Sequence, residues 1–176
     1  TGYRSNKIEE FLARDYPDYE FNIFNSGNVD IIQRIKDVSK NITDDLIVLY
    51  GDTLSDVDID ELIKFHHSHP GKATVTVWPL QTQFGVLDID QFGVVSSYEE
   101  KPILDKWINI GYFYFENEVL QLLNEFDDFE SYLSQLVELQ ELNGYKHLGS
   151  HITVNTLKEL EYAENNINKI TNIMKG

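Results

Sequence analysis

The chain of 176 residues has the length of one domain with a sizeable hydrophobic core. Its 30 acidic and 14 basic residues give a formal net charge of −16, which argues against a nucleic-acid partner, because binding to a phosphate polymer needs a basic surface. The lack of cysteine excludes disulfides, thiolate zinc sites and cysteine nucleophiles, and no apolar run is long enough to cross a membrane. We therefore expect a soluble, cytoplasmic protein that binds neither nucleic acid nor membranes.

The first half of the chain alternates between helical and strand patterns. Apolar residues at helical spacing predict the helices, alternation predicts the first strand, and a continuous apolar run at 46–50 is typical of a strand buried on both faces. The predicted elements are a helix over 5–16, a strand over 20–25, a helix over 31–40, a strand over 46–50 and a helix over 59–69.

Beyond Pro70 the β-rich runs follow one another so closely that some must pair antiparallel. The predicted elements are strands over 73–77, 84–89, 94–98 and 110–115, helices over 119–124 and 132–142, one or two short strands within 145–154, and a terminal helix over 156–174. This order predicts an α/β fold: a Rossmann-like mixed sheet flanked by helices, with an antiparallel extension.

The segment Tyr50-Gly51-Asp52 directly follows the strand predicted over 46–50. In open α/β sheets, ligands bind beyond the carboxyl ends of parallel strands, and a glycine there lets a phosphate approach the backbone. Asp52 is therefore a candidate Mg²⁺ ligand, because Mg²⁺ usually takes one or two carboxylates and fills its other positions with water and substrate phosphate. The alternative is that Asp52 only ends the strand by a hydrogen bond within the turn.

A second group of polar residues surrounds another predicted strand end. The Glu100 carboxylate can accept hydrogen bonds from sugar hydroxyls, and Lys101 can hold a phosphate as a point charge. Asn109 offers a donor and an acceptor to a hydroxylated ligand just before the next strand. An exposed turn accounts equally well for the pair Glu100-Lys101, and a lone asparagine is a weak indication.

Two further groups invite a metal site but have simpler explanations. The run Asp56-Val57-Asp58-Ile59-Asp60 contains the Asp-x-Asp pattern of metal-dependent glycosyltransferases, but acids at the start of the next helix also cap its N–H groups and complement its dipole. His66, His67 and His69 lie at that helix's C-terminal end, where the dipole favours histidine in any case. No nucleophile elbow, zinc-hydrolase motif, Walker loop or dinucleotide fingerprint occurs.

Five motifs together occur in the order and spacing of a known family. They are Gly2-Tyr3, Tyr50-Gly51-Asp52, Phe84-Gly85-Val86-Leu87-Asp88, Glu100-Lys101-Pro102 and Ile108-Asn109-Ile110-Gly111-Tyr112-Phe113. From Gly2 to about Ala163 the chain resembles the sugar-1-phosphate nucleotidyltransferases and, within them, the glucose-1-phosphate cytidylyltransferases. The resemblance implies the nucleotide-diphospho-sugar transferase type of fold. It also implies transfer of a nucleotidyl group from an NTP to a sugar 1-phosphate, with release of pyrophosphate.

The same resemblance implies roles for individual residues. Asp52 and Lys101 would be the catalytic residues, with Asp52 holding Mg²⁺ and Lys101 binding the sugar phosphate. Glu100 and Asn109 would contact sugar hydroxyls, and Gly51 and Gly111 would complete the substrate-binding set. The sugar phosphate is itself a nucleophile, so this chemistry needs alignment and charge neutralisation more than a protein nucleophile.

The chain also departs from the family pattern. The family's opening strand, its G-G-x-G-T-R phosphate loop and the following Lys-Pro pair do not occur here, so we expect residues 1–176 to be a single nucleotidyltransferase domain that is incomplete at its N-terminus. Alone it should be inactive or nearly so. Asn155 or Thr153 stands where the family has a second metal-binding Asp, and the segment around Asn25 lacks the Thr-Gly-Gly of cytidylyltransferases, which leaves the base preference open.

Two other functions stay open at the level of sequence. Asn155 and the absence of the G-G-x-G-T-R loop favour a non-catalytic, nucleotidyltransferase-like module with a sugar-phosphate-binding or regulatory role. The Asp56 and Asp58 pair favours a metal-dependent glycosyltransferase. The partners expected for the enzyme are an NTP and a sugar 1-phosphate, and self-association into a homo-oligomer is left open.

Overall fold

The computed structural model describes the backbone of residues 1–173 and the side chains of residues 1–167. The described residues group into two compact units. Unit 1 comprises Thr1–Leu46 and Phe115–Leu142, and unit 2 comprises Ile47–Tyr114 and the described residues from Asn143 onward. Each unit is built from two separate segments, so neither is a consecutive module of the chain. The single domain predicted over residues 1–176 stays a prediction.

The order of helices and strands agrees with the sequence prediction at most positions. In chain order the elements are α1 (Ser5–Asp15), α2 (Ile31–Ser39), β1 (Leu46–Leu49), β2 (Thr53–Ser55), α3 (Ile59–His67), β3 (Ala73–Gln81), β4 (Val86–Ile89), β5 (Val95–Glu99), β6 (Ile103–Phe115), α4 (Asn117–Leu120), a 3-10 turn (Gln121–Glu125), α5 (Phe129–Glu138), β7 (Leu142–Lys146), β8 (His151–Thr153) and α6 (Leu157–Ile173). Residue 174, the predicted end of the last helix, lies outside the described residues.

Two local predictions are wrong. No strand forms over 20–25, because this segment bonds to the first residue and not to a neighbouring strand: the Thr1 amino group donates to the Phe24 carbonyl at 2.6 Å, and Ser26 N donates to the Thr1 carbonyl at 3.2 Å. Strand β1 is not buried on both faces, since Leu49 is 53% exposed.

Unit 1 has its own aromatic and aliphatic core. The apolar stripe of α2 contributes Ile32 and Ile35, and α5 contributes Phe129, Tyr132 and Leu136, all of them buried. The fully buried Tyr132 donates its hydroxyl proton to the Val119 carbonyl at 3.1 Å, and burial raises its pKa well above the usual value. Because both helices carry aspartate N-caps, their starting positions are determined locally.

Unit 2 contains the sheets. Four strands form one sheet in the order β1-β6-β3-β7, β2 pairs antiparallel with β8, and β4 pairs antiparallel with β5. Helix α3 packs against β3, and α6 packs against β2 and β8. The core between them includes Val57, Leu62, Ile110 and Tyr112. The predicted α/β class is confirmed, as is the antiparallel extension, which is the β4–β5 hairpin.

The three histidines at the end of α3 have structural partners. His66 is 1% exposed, its Nδ1 lies 2.9 Å from Thr74 Oγ1, and its ring packs on Tyr114. The His69 ring stacks on Phe65. Among the side chains that the structure describes, no three His, Asp or Glu residues are arranged to share a metal ion. None of the described helices is long and apolar enough to span a membrane.

Candidate functional site

The loop between β1 and β2 carries Asp52. Its backbone is fixed from two sides: Tyr50 N donates to the Gly111 carbonyl at 2.9 Å, and Val154 N donates to the Asp52 carbonyl at 2.8 Å. The Asp52 side chain is exposed and makes no hydrogen bond or ion pair with any described residue. A Cβ placed on Gly51 has no described atom within 4 Å. An exposed carboxylate without a partner among the described residues therefore follows a glycine that has open space around it.

Gly111 and Asn109 shape the strand that supports this loop. Gly111 has a φ of 78°, and a Cβ there would overlap the Tyr50 ring, so the position needs glycine for packing as well as for its backbone conformation. Asn109 Oδ1 accepts a hydrogen bond from Gly111 N at 2.7 Å, which stabilises the irregular backbone. The Asn109 side chain is left with its Nδ2 group as a donor, and its predicted contact with a sugar hydroxyl would use that group.

Strand pairing brings Val154, the residue before Asn155, against the Asp52 backbone. Strands β2 and β8 pair Thr53 with Thr153, so the chain leaves β8 past the Asp52 carbonyl. Asn155 N donates to Glu159 Oε2 at 2.8 Å, and this bond is the main cause that lowers the Glu159 pKa. The Asn155 amide group itself bonds to no described residue. We call residues 50–52, 109–111 and 154–155 the Asp52 corner.

Glu100 and Lys101 lie at the base of the β4–β5 hairpin. The Tyr98 hydroxyl donates to Glu100 Oε2, and this bond raises the Tyr98 pKa. The same Tyr98 ring covers Gly85 so closely that a Cβ there would overlap it. The two motifs Phe84-Gly85 and Glu100-Lys101 are therefore brought together, as the pairing of Val86 with Glu99 requires. We call residues 81–85 and 98–101 the hairpin corner.

Lys101 has an unusual backbone. Its φ of 50° lies in the left-handed region, which is uncommon outside glycine and which Arg4 and Gln140 also adopt in the described part of the chain. Lys101 N donates to the Phe84 carbonyl at 3.3 Å, and its own carbonyl accepts from Gln81 Nε2 at 3.5 Å. The exposed ammonium group forms no ion pair with a described residue. It is thus available to an anionic ligand.

The structure connects the predicted residues within each corner. Tyr50, which precedes Gly51 and Asp52, bonds to Gly111, and Gly111 bonds to Asn109. Glu100 and Lys101 are adjacent at the base of the hairpin. No hydrogen bond or ion pair between described residues links Asp52 to Glu100 or Lys101. A ligand that reached both corners would contact a carboxylate at one and a cation at the other.

The oxygen donors at the Asp52 corner can be compared with the needs of Mg²⁺. This ion prefers oxygen ligands in octahedral geometry, keeps several waters, and is usually bound by one or two carboxylates together with substrate phosphates. The Asp52 carboxylate and the Asn155 amide oxygen are both oxygen donors, and neither is engaged with a described residue. Each is a donor of the kind that Mg²⁺ takes when a phosphate ligand and water fill its other positions.

Sequence reasoning missed a buried group beside this corner. The Asp56 Oδ1 atom lies 2.8 Å from His147 Nε2 and accepts from Ser150 N at 2.7 Å, and the Asp56 and His147 side chains are only 7% and 10% exposed. Ser55 Oγ donates to the Ser150 carbonyl at 2.7 Å. Gly149 lies so close that a Cβ there would overlap Asp56 Oδ1. We call this group the Asp56 clamp; it holds the loop that leads into β8.

The clamp changes the interpretation of the acidic run. Asp58 accepts from Glu61 N at 3.0 Å and caps α3, so the interpretation as a helix cap is confirmed for Asp58. The interpretation as a helix cap is wrong for Asp56, because its Oδ1 atom accepts a hydrogen bond from Ser150 N in the loop before β8. The other missed residue, Glu159, had a recognisable pattern, because Thr156 and Glu159 form the T-x-x-E capping box at the start of α6.

Comparison with known proteins identifies the family. The model of the family described as nucleotidyl transferase matches residues 10–159. The chain belongs to the nucleotidyl transferase family. It is 37% identical over 136 residues to a glucose-1-phosphate cytidylyltransferase of Salmonella typhi, covering 74% of this chain and 52% of the relative. It is 32% identical over 133 residues to a probable glucose-1-phosphate cytidylyltransferase of Bacillus subtilis, covering 72% and 51%. The chain thus spans about half the length of these curated relatives.

Solved structures of the same kind share the fold. A putative glucose-1-phosphate thymidylyltransferase from Bacillus anthracis, solved in complex with sucrose, superposes with a TM-score of 0.68 at 17% identity, covering 91% of this chain and 70% of that one. HddC from Yersinia pseudotuberculosis superposes with a TM-score of 0.65 at 19% identity, covering 94% and 76%. At these identities the likeness concerns the fold alone. The fold and family expected from the five motifs are confirmed.

Proposed function

We propose that this chain contributes the sugar 1-phosphate side of a nucleotidyltransferase site. The proposed reaction is NTP plus sugar 1-phosphate giving NDP-sugar plus pyrophosphate. The observation that carries the proposal is the Asp52 corner, where an exposed carboxylate without a protein partner stands beside open space in a member of this family. The cytidylyltransferase relatives make CTP and glucose 1-phosphate the first substrates to test.

The chemistry needs little from the protein beyond positioning and charge. A phosphate oxygen of the sugar 1-phosphate attacks the α-phosphorus of the NTP, forming a new P–O bond, while the bond to the β-phosphate breaks and pyrophosphate leaves with the electron pair. In this proposal Lys101 holds the sugar phosphate, and Glu100, oriented by Tyr98, accepts a hydrogen bond from a sugar hydroxyl. Asn109 Nδ2 donates to a second hydroxyl, and the open backbone at Gly51 leaves room for a phosphate.

In this proposal Asp52 would hold Mg²⁺, and Asn155 would be a second ligand. When bound there, the ion would neutralise negative charge on the transferring phosphates. In a chain with a net charge of −16, phosphate-rich substrates need such local positive charge, and Lys101 and the ion are its proposed sources. A cytoplasmic location and a homo-oligomeric state remain predictions.

A second function is favoured by one residue. Asn155 stands where the family pattern led us to expect a second metal-binding acid, and an amide is a weaker ligand for a hard divalent cation than a carboxylate. This substitution supports a non-catalytic module that binds sugar phosphates. The glycosyltransferase alternative has less support, since Asp58 caps a helix and Asp56 is occupied by His147 and Ser150.

The experiment compares this chain with an extended one. The 176 residues contain no G-G-x-G-T-R sequence, so we expect them to bind glucose 1-phosphate in calorimetry but to release little pyrophosphate with Mg²⁺ and any NTP. In a fusion, a segment carrying the G-G-x-G-T-R phosphate loop expected for the family precedes Thr1, and we expect this fusion to release pyrophosphate with CTP. Asp52→Asn in that fusion should lower the rate by about 10²-fold or more.

The outcomes separate the candidates. A folded fusion that binds glucose 1-phosphate but stays silent with all four NTPs supports the binding module. A fusion that turns over equally well with Asp52→Asn contradicts the role of Asp52. If neither protein binds glucose 1-phosphate, the proposal of a sugar 1-phosphate site is wrong.

A further inference from the structure

Unit 2 contains a cleft that shares Gln81 and Gln83 with the hairpin corner. It measures about 510 Å³, within the range of sites for small molecules, and the end of β3, the loop into β8 and helix α6 form its walls. The side chains that matter for its chemistry are Trp78, Gln81, Gln83, His151, Tyr162 and Asn166. None of the six residues predicted for catalysis or substrate binding lines it.

The lining is uncharged in a strongly acidic chain. No Asp, Glu, Lys or Arg is among the described residues that form the walls, although the chain as a whole carries a formal charge of −16. A charged ligand would lose its hydration there without gaining an ion pair, which is costly. Three carboxamide side chains, Gln81, Gln83 and Asn166, line the walls instead. The composition therefore suits a polar but uncharged ligand.

His151 contributes an uncharged ring to the wall of the cleft. Its Nδ1 atom is buried, and its Nε2 atom lies 3.2 Å from Thr153 Oγ1. Burial, with a smaller contribution from His147, lowers the His151 pKa and so favours the neutral ring. The ring therefore lines the cleft without adding a charge.

Aromatic rings supply the rest of the recognition surface. Trp78 Nε1 donates to the Gly149 carbonyl at 3.0 Å, which fixes the indole, and the His151 ring lies 5.5 Å from the indole ring. Tyr162 is 60% exposed, and neither its hydroxyl nor the Gln83 amide bonds to any other described residue. A pyranose combines an apolar C–H face, which packs on such rings, with hydroxyls that pair with amides.

We propose that this cleft, which shares Gln81 and Gln83 with the hairpin corner, binds an uncharged saccharide without using Asp52 or the Lys101 ammonium group. The ligand lays a pyranose face against Trp78 and Tyr162. Its hydroxyls bond to the amides of Gln81 and Gln83. The site adds a neutral carbohydrate to the ligands of this protein and does not depend on nucleotidyl transfer.

The two tryptophans of the chain allow a direct test. In Trp107→Phe only Trp78 remains as a fluorophore; the matched Trp78→Phe variant keeps Trp107, which packs against Lys146 and does not line the cleft. We titrate both folded variants with methyl α-D-glucoside and with maltose. The expected result is a saturable change in Trp78 emission with a Kd in the millimolar range, about −4 kcal/mol or somewhat tighter, and no change for Trp107.

Variants of the lining sharpen the test. Gln83→Ala and Tyr162→Ala, each made in the Trp107→Phe background, should weaken saccharide binding by about fivefold or more, since each removes an exposed group and leaves the core intact. Tyr19→Ala is the control, because Tyr19 is a comparably exposed tyrosine that does not line the cleft. Lys101→Gln should leave the saccharide titration unchanged, so failure of the sugar 1-phosphate proposal would not be confused with failure of this one.

Three results would overturn the proposal. One is the absence of a saturable response in folded Trp107→Phe up to about 50 mM saccharide, well above the expected Kd. Another is an equal response in Trp78→Phe. The third is binding of glucose 1-phosphate or cytidine at Trp78 more tightly than the uncharged saccharides, which would assign the cleft to a charged sugar or to a nucleoside.

Discussion

The two corners of the candidate site are built in different ways. The Asp52 corner joins residues that are about a hundred positions apart, because β2 pairs with β8 and Val154 N bonds to the Asp52 carbonyl. The hairpin corner is local, since β4, β5 and the residues at their base lie between Gln81 and Lys101. Side chains of both hairpin strands are exposed, whereas the Asp56 clamp beside the first corner is buried.

Because of this difference, we expect substitutions in the two regions to affect different properties, the stability of the fold in one and ligand binding in the other. Substitutions of the buried groups that hold the loops beside the Asp52 corner, such as the Asp56 clamp, should destabilise the fold, because these groups form long-range hydrogen bonds. Substitutions at the hairpin corner should change ligand binding with little effect on stability, because exposed polar contacts contribute little to folding.

The largest effect is expected from Asp56→Ala. The change leaves His147 and Ser150 N buried without their acceptor, which should lower the free energy of unfolding by about 2–4 kcal/mol, measured by urea denaturation. Asp56→Asn keeps an acceptor and should lose less. Asp58→Ala is the control for a helix cap, with an expected loss of about 1 kcal/mol. Equal losses for Asp56→Ala and Asp58→Ala would contradict the clamp.

The next effect distinguishes two glycines of the Asp52 corner. Gly111→Ala should destabilise the protein by about 2–3 kcal/mol, because the position has a positive φ and a methyl group would overlap the Tyr50 ring. Gly51→Ala should change stability by less than about 0.5 kcal/mol, since its Cβ meets open space. Thermal and urea denaturation measure both. If Gly51 provides room for a phosphate, its variant should still bind that ligand more weakly.

A smaller effect concerns metal binding and compares the corners directly. Asn155→Asp places a second carboxylate beside Asp52 and should tighten the binding of Mn²⁺, used as a probe for Mg²⁺, by about tenfold in calorimetry. Lys101→Gln should leave Mn²⁺ binding unchanged and weaken glucose 1-phosphate binding by about tenfold. An Asn155→Asp variant with unaltered Mn²⁺ affinity would show that residue 155 does not share a metal site with Asp52.

The smallest effects are in pH dependence, where the corners should respond at opposite ends of the scale. The hydrogen bond from Asn155 N lowers the Glu159 pKa. This bond therefore stabilises the folded state above pH 4.5, the usual pKa, and its contribution is lost as the pH falls through the lower pKa of the folded state. The hydrogen bond to Glu100 raises the Tyr98 pKa. The stability that this bond contributes is present below pH 10.0, the usual pKa, and is lost as the pH rises through the higher pKa of the folded state.

NMR titration of the two side chains measures these shifts. Glu159→Gln should remove the acid response near Asn155 and leave the alkaline response at the hairpin. Tyr98→Phe should do the reverse. A Tyr98 that titrates at its ordinary pKa would show that its bond to Glu100 does not persist in solution.

Much of the secondary structure could be predicted, because its determinants are local. The apolar spacing of α2 and α3 and the closely spaced strands after Pro70 are patterns within short windows. The strand predicted over 20–25 failed for the complementary reason: alternation predicts a strand only if a partner strand is present, and here the segment bonds to Thr1.

For the candidate site too, the features that depend on neighbouring residues could be predicted, and those that depend on distant residues could not. The residue types and their order along the chain, from Asp52 through Lys101 to Gly111, sufficed to indicate the family. The sequence by itself thus determined the α/β class, the helix caps and the candidate polar residues, because each depends on neighbours within a few positions. Only the tertiary structure decided that Asp56 binds His147, 91 positions away, that Val154 N bonds to the Asp52 carbonyl, and that Trp78 and His151 share a cleft. These pairings depend on how β8 and its loop dock onto β2 and β3, which no short window of sequence specifies.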